Sequence, residues 1–116
     1  MRHISFQLTT KQIRARTKFV TRRNGWQDLK VGELLQAIVQ SQGLKRGEKQ
    51  QKLCVIRVKS LRREPLAKMR ERPYGDQEVI LEGFPGETPE MFITMYCRAN
   101  RCRDTINVNR IEFDYV

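Results

Sequence analysis

Glu33-Leu34-Leu35-Gln36-Ala37-Ile38-Val39-Gln40 is the stretch whose reading decides the fold. Its mixed apolar pattern suits a helix as well as a strand, because periodicity alone does not separate the two over so short a run. The β-branched end, Ile38-Val39, and the flanking glycines Gly32 and Gly43 favour the strand. Read so, residues 33–40 lead into a long basic hairpin loop, Gly43-Leu44-Lys45-Arg46-Gly47-Glu48-Lys49. A second long strand then runs from Leu53 to about Arg62. In it Cys54, Ile56, Val58 and Ser60 alternate with Val55, Arg57, Lys59 and Leu61, which makes one side cationic. A long helix over 33–40 would remove the barrel that these strands imply.

Working outward, residues 2–8 alternate Ile4, Phe6 and Leu8 against His3, Ser5 and Gln7, the pattern of a half-buried strand with His3 on its exposed face. Thr9-Thr10 suits the cap of a short helix reaching about Arg16, anchored by Ile13. Residues 63–76 are charged and weakly patterned, and Pro65, Pro73 and Gly75 break any long element. Asp76 is placed to cap a short helix carrying Val79, Ile80 and Glu82, which Gly83-Phe84-Pro85-Gly86 ends. Thr88-Pro89-Glu90 has the three marks of a helix start: a capping hydroxyl, proline at the first position and an acid in the first turn. Phe92, Met95, Tyr96 and Ala99 form the stripe expected to be buried on that helix. Residues 107–115 alternate around Ile111, Phe113 and Tyr115 as a last strand. The expectation is an α+β protein, a small mixed β-barrel with a few short flanking helices, in one domain spanning 1–116.

The totals narrow the function classes. With 116 residues, 39% hydrophobic and 31% charged, the chain is globular in composition. No apolar run reaches the ~20 residues that cross a bilayer, and Met1-Arg2-His3-Ile4-Ser5 has no signal-peptide pattern. Cys54, Cys97 and Cys102 are an odd set and suit a reducing compartment, so the expected location is cytoplasmic, with no membrane partner. With His3 as the single histidine, soft ligands are too few for a zinc site, and neither metal nor cofactor is expected. Charge is polarised. Residues 1–72 hold 19 Lys/Arg against 5 Asp/Glu, a balance of +14, and residues 73–116 hold 4 against 8, a balance of −4. Such a basic half fits a polyanionic partner as well as a merely solvated face.

Lys18-Phe19-Val20-Thr21-Arg22-Arg23, followed by Asn24-Gly25-Trp26, gathers the chemistry. Extended, it points Lys18 and Val20 one way and Phe19 and Thr21 the other; a helical turn or a bulge would bring Lys18 to Thr21. A basic edge strand that discourages pairing explains the same residues. Phosphate contacts suit Arg22, Arg23, Lys45, Arg46, Arg62 and Arg63. Trp26 or Tyr74 suits stacking on a base, and Trp26 equally suits packing in the barrel.

Over essentially its whole length the chain resembles the ASCH (activating-signal-cointegrator-homology) domains of the PUA-like superfamily, above all the small stand-alone members of bacteria and phages. The resemblance rests on Lys18-x-x-Thr21-Arg22-Arg23 with Gly25-Trp26, Leu29-Lys30-Val31-Gly32-Glu33, Gly43-Leu44-Lys45 and Arg62-Arg63-Glu64-Pro65-Leu66. Glu82-Gly83-Phe84-Pro85-Gly86 and Thr88-Pro89-Glu90-Met91-Phe92 complete it, all in the family's order. It implies a small barrel with helices packed against it, a cleft beside the barrel, and RNA or a nucleotide or nucleoside as ligand. Some small members are amidohydrolases that remove the acetyl group from 4-acetylcytidine with a lysine, a threonine three residues later and a distant glutamate. On this chain those positions are Lys18, Thr21 and Glu82. Other members act as ribonucleases. An interaction module without a small ligand is the remaining reading.

Overall fold

In the computed structural model, which describes residues 1–40 and 43–116, the chain order is β1 (Arg2–Ser5), α1 (Thr10–Ala15), β2 (Val20–Arg23), β3 (Leu34–Ile38), β4 (Lys52–Pro65), α2 (Tyr74–Leu81), α3 (Pro89–Asn100) and β5 (Asn107–Tyr115). The deciding stretch is a strand. β3 pairs antiparallel with β4, with Leu35 opposite Ile56 and Ala37 opposite Cys54. β1 joins β3 in parallel, β4 pairs antiparallel with β5, and β2 closes the other side against β5. The result is one curled, mixed five-stranded sheet in the order β1-β3-β4-β5-β2, an α+β half-barrel with β1 and β2 as its two edges.

The two faces of the sheet carry separate cores. Inside the curl, Ile4, Phe6, Leu35, Ile56, Val58, Ile111 and Phe113 pack together with Ile13 of α1. On the outer face Val108 meets Leu66, Met69, Val79, Phe92, Ile93 and Tyr96, which seals α2, α3 and a 3-10 turn at Leu66–Arg70 onto the sheet. Each fully buried side chain of this size stabilises by about 1.5–3 kcal/mol. Thr88 caps α3 as the sequence suggests, its hydroxyl accepting from the Met91 amide at 3.1 Å, with Pro89 at the first position.

Several local expectations are corrected. β1 ends at Ser5 rather than residue 8, because a 3-10 turn at Gln7–Thr9 takes over and leaves Leu8 68% exposed. No side-chain cap starts α1; the Thr10 hydroxyl instead donates back to the Phe6 carbonyl. β4 is longer than 53–62 and takes in residues 63–65. Its register slips between Val58 and Ser60, so Ile56 and Val58 share the inner face with Leu61 and Arg63 rather than with Ser60. The strand's cationic side is therefore split. α2 begins at Tyr74, two residues before Asp76, which instead pairs with Arg72. On α3, Ile93 belongs to the buried stripe, whereas Ala99 is exposed and Met95 only half-buried.

Gly75, in the first turn of α2, has no room for a side chain. A Cβ there would lie 1.7 Å from the Met69 carbonyl oxygen. Gly75→Ala forces the helix off the 3-10 turn, and urea denaturation should show a loss of about 1–3 kcal/mol. An unchanged midpoint would mean that this approach is not held in solution.

Candidate functional site

The edge strand β2 has different chemistry on its two faces, and this builds the site. Thr21 pairs with Ile111, and Arg23 with Asn109, on the inner face; Val20 and Arg22 point outward, towards α2. Lys18 lies just before the strand. Its backbone is held where Phe19 N donates to the Leu81 carbonyl at 2.7 Å, and where the Tyr115 hydroxyl donates to the Lys18 carbonyl at 2.6 Å. These bonds fix Lys18 against Glu82, the residue that caps the C-terminal end of α2. Gly83, at φ +97, lets the following loop lie against Gln12 of α1, where a Cβ would come within 2.8 Å of the Gln12 side chain.

Lys18 and Glu82 are both buried. The Lys18 ammonium donates to Glu82 Oε1 and to the Glu82 carbonyl, each at 2.8 Å. Arg22, 3% exposed, donates to Glu82 Oε2 at 2.9 Å and to Glu64 Oε2 at 3.2 Å, and it also reaches Glu78. Arg110 grips both oxygens of Glu78. Three cations thus meet three carboxylates in one buried network, as buried charges require, although Arg22 Nε is left without a hydrogen-bond partner among the described residues. Burial favours the neutral carboxyl of Glu78, but hydrogen bonds and charge from Arg110 and Arg22 outweigh it and hold the pKa below the ordinary range. The same balance, with Arg62, Tyr74 and Arg22 as partners, lowers that of Glu64. For Lys18 burial wins. Its pKa is lowered, helped by the neighbouring charges of Arg23 and Arg22 and opposed by Glu82.

Beside this network a cleft of about 220 Å³ opens at the gap between the edge strands. Lys18, Thr21, Arg23 and Glu82 line one side; Phe84, Phe92, Met95 and Ala99 line the other; Ser5, Gln7 and Thr9 form its β1 end. Arg23 spans the gap. Its Nη2 donates to the Ser5 carbonyl at 2.6 Å, its Nε donates to the Thr21 hydroxyl at 3.0 Å, and its guanidinium lies 4.9 Å from the Phe6 ring centroid. Among the described residues Arg23 has no carboxylate bonded to it, and burial pulls its pKa down to about 10. The volume is below the ~300–1,000 Å³ of sites for drug-sized ligands and suits one ring system. Chemically, the cleft offers a hydroxyl, a buried amine of lowered basicity, an unpaired guanidinium and an apolar wall.

The structure brings Lys18, Thr21, Arg23 and Glu82 together. Lys18 and Thr21 are not hydrogen-bonded to each other: the amine is turned to Glu82 and the hydroxyl to Arg23. Arg22 is corrected as a phosphate contact, because three carboxylates and Tyr74 enclose its guanidinium. Trp26, Arg62 and Arg63 gather elsewhere, around a second groove. Lys45 and Arg46 are exposed in the β3–β4 connection and line neither cavity. The sequence reading missed Glu78 and Arg110 altogether. It also assigned Met95 and Ala99 to the core; Met95 does pack against it, but both residues line the cleft and Ala99 is exposed. The signal for a buried ion network was there: Arg22 shares a strand face with Val20, so a buried Val20 implies a buried cation. Among the described residues no cluster of His, Cys, Asp or Glu is suited to hold a metal ion, and no helix is long and apolar enough to cross a membrane.

No family model matches the chain, and no curated protein matches it in sequence. Two solved structures share its fold. Hypothetical protein PH0355 superposes with a TM-score of 0.63 at 15% identity, over 99% of this chain and 96% of its own. Protein EF3133 from Enterococcus faecalis V583, of the DUF984 family, superposes with a TM-score of 0.67 at 14% identity, over 99% of this chain and 79% of its own. At these identities the likeness establishes a shared small α+β half-barrel fold.

Proposed function

We propose that this is an ASCH-type, PUA-like domain whose cleft binds a nucleoside or nucleotide, free or within RNA. One observation carries the reading. The cleft sets an apolar and aromatic wall, Phe84, Phe92 and Met95, opposite hydrogen-bonding and cationic groups, Thr21 and Arg23, across a space for one ring system. A flat heteroaromatic base uses both sides at once: its faces need apolar contact and its edge needs donors and acceptors. Arg23, without a carboxylate of its own, suits an anionic or carbonyl oxygen of the ligand.

The test is calorimetric titration with cytidine, 4-acetylcytidine and cytidine monophosphate. Ala99 is exposed on the helix side of the cleft, away from the ion pairs. Ala99→Phe should fill the mouth and weaken binding at least about tenfold, the scale of one lost stacking contact. Equal affinity in the two proteins would place the ligand outside this cleft.

A second reading is favoured by the convergence of Lys18, Thr21 and Glu82: hydrolysis of the acyl group on an acylated cytosine. In this reading the neutral Lys18 amine takes the Thr21 hydroxyl proton as the threonine oxygen attacks the amide carbonyl. The C–N bond then breaks, and the exocyclic nitrogen leaves with the proton returned from Lys18, which Glu82 holds in place. Water hydrolyses the threonine ester and releases the acid. Burial supports the base role, since a lysine of lowered pKa is neutral in a larger fraction. The amine must turn from Glu82 towards Thr21 as substrate enters.

A further inference from the structure

The second groove is lined by Trp26, Gln27, Leu61, Arg62, Arg63 and Asn109. We propose that it binds a base and the adjoining phosphate of a single-stranded nucleic acid, so that the ligand is a strand rather than a free nucleoside. That the next nucleotide enters the cleft rests on the reading of the cleft given above.

Sheet register joins the two sites. Arg23, Asn109 and Arg63 stand opposite one another on β2, β5 and β4, and directly opposed residues share a face. Arg23 lines the cleft and Arg63 the groove. Two strand spacings of roughly 4.8 Å put their backbones about 10 Å apart. Asn109 sits between them and is committed on both sides. Its Oδ1 accepts from Arg63 at 3.2 Å, and its Nδ2 donates to the Gly25 carbonyl. The row therefore offers an extended polyanion two guanidiniums at a fixed distance.

Arg63 is exposed and, among the described residues, forms no ion pair. Arg62 is half exposed; Glu64 and the Tyr74 hydroxyl hold it, so Arg63 is the main phosphate contact. Trp26 supplies the ring. It packs against the inner core yet borders the groove, and its backbone is left-handed at φ +66, a conformation that costs a non-glycine residue and concentrates at ligand sites. Arg2, tied to Asp28 and Glu33, stacks on the indole at 5.0 Å. Arg2 does not itself line the groove. An aromatic ring beside cations that track a backbone is the arrangement by which proteins hold single strands.

Trp26 is the single tryptophan of the sequence, so its fluorescence reports on this groove alone. A short unstructured RNA and a DNA of the same sequence are titrated into the full chain at low salt, with cytidine as the comparison. Quenching by either strand but not by cytidine is the expected result, and the preference between the strands identifies the natural source. Arg63→Glu, at an exposed position, should weaken the strand at least about tenfold, the scale of one charge-assisted hydrogen bond. It should also flatten the log–log salt dependence by about 0.7. Absence of quenching by both strands, or equal binding by Arg63→Glu, overturns the proposal and leaves the cleft reading intact. Quenching by a strand, with no calorimetric binding of cytidine, supports the groove and removes the cleft reading.

Discussion

Glu78→Gln is expected to destabilise the fold by about 3–5 kcal/mol, the usual consequence of taking one partner out of a buried ion network. Glu78 is 2% exposed and is the shared anion of Arg22 and Arg110, so its loss leaves two buried guanidiniums short of charge. It does not line the cleft, which makes the effect one of stability alone. The same group sets the acid limit. Its folded pKa lies below the unfolded value near 4.5, and so does that of Glu64. A depressed carboxylate contributes stability that is full above its unfolded pKa and is lost as pH falls through its folded pKa. Urea midpoints should hold from neutral pH to about pH 5 and fall steeply below about pH 4.5. The fall should be shallower in Glu78→Gln, which has one fewer such proton to take up. A variant as stable as the parent at neutral pH would mean that the network contributes nothing net.

Thr21→Ala and Lys18→Met carry the second large effect. On the hydrolytic reading each removes a group that the chemistry needs, and turnover of 4-acetylcytidine should fall by roughly 10²–10⁴. Thr21→Ala leaves the ion pairs untouched, because the threonine hydroxyl is bonded to Arg23 alone among the described residues. Its affinity for cytidine should fall by no more than about tenfold, the scale of one lost neutral hydrogen bond and far less than the loss of turnover. The rate of the parent protein should rise with pH as Lys18 loses its proton, with a midpoint below the ordinary lysine value. Losses near twofold in both variants would remove the hydrolytic reading and leave binding in place.

The fold was legible wherever alternation or end signals were strong. Residues 33–40 read as a strand on their β-branched end, and Thr88-Pro89 marked the start of α3 to within a residue. Legibility failed where one extra residue changes every later assignment. The slip between Val58 and Ser60 moves Leu61 and Arg63 to the inner face, and no composition signal marks it. It failed again at α3, where Ala99 is spaced as part of the core stripe but is exposed, and Met95 packs against the core on one side and borders the cleft on the other. An apolar helix face looks the same in sequence whether it covers a core or a cavity. The charged residues were hardest. Arg22 and Arg23 are adjacent, alike in type and both at the cleft, yet one is held by carboxylates and the other has none bonded to it among the described residues. Only the partners separate them, and Glu64, Glu78 and Glu82 lie 42 to 60 positions away.

The most direct measurement is a crystal structure of the protein soaked with cytidine. The account predicts the base between Phe84, Phe92 and Met95 on one side and Thr21 and Arg23 on the other, with the Lys18–Glu82–Arg22 pairs still closed behind it. A base bound anywhere else, or a cleft that stays empty at saturating cytidine, would contradict it.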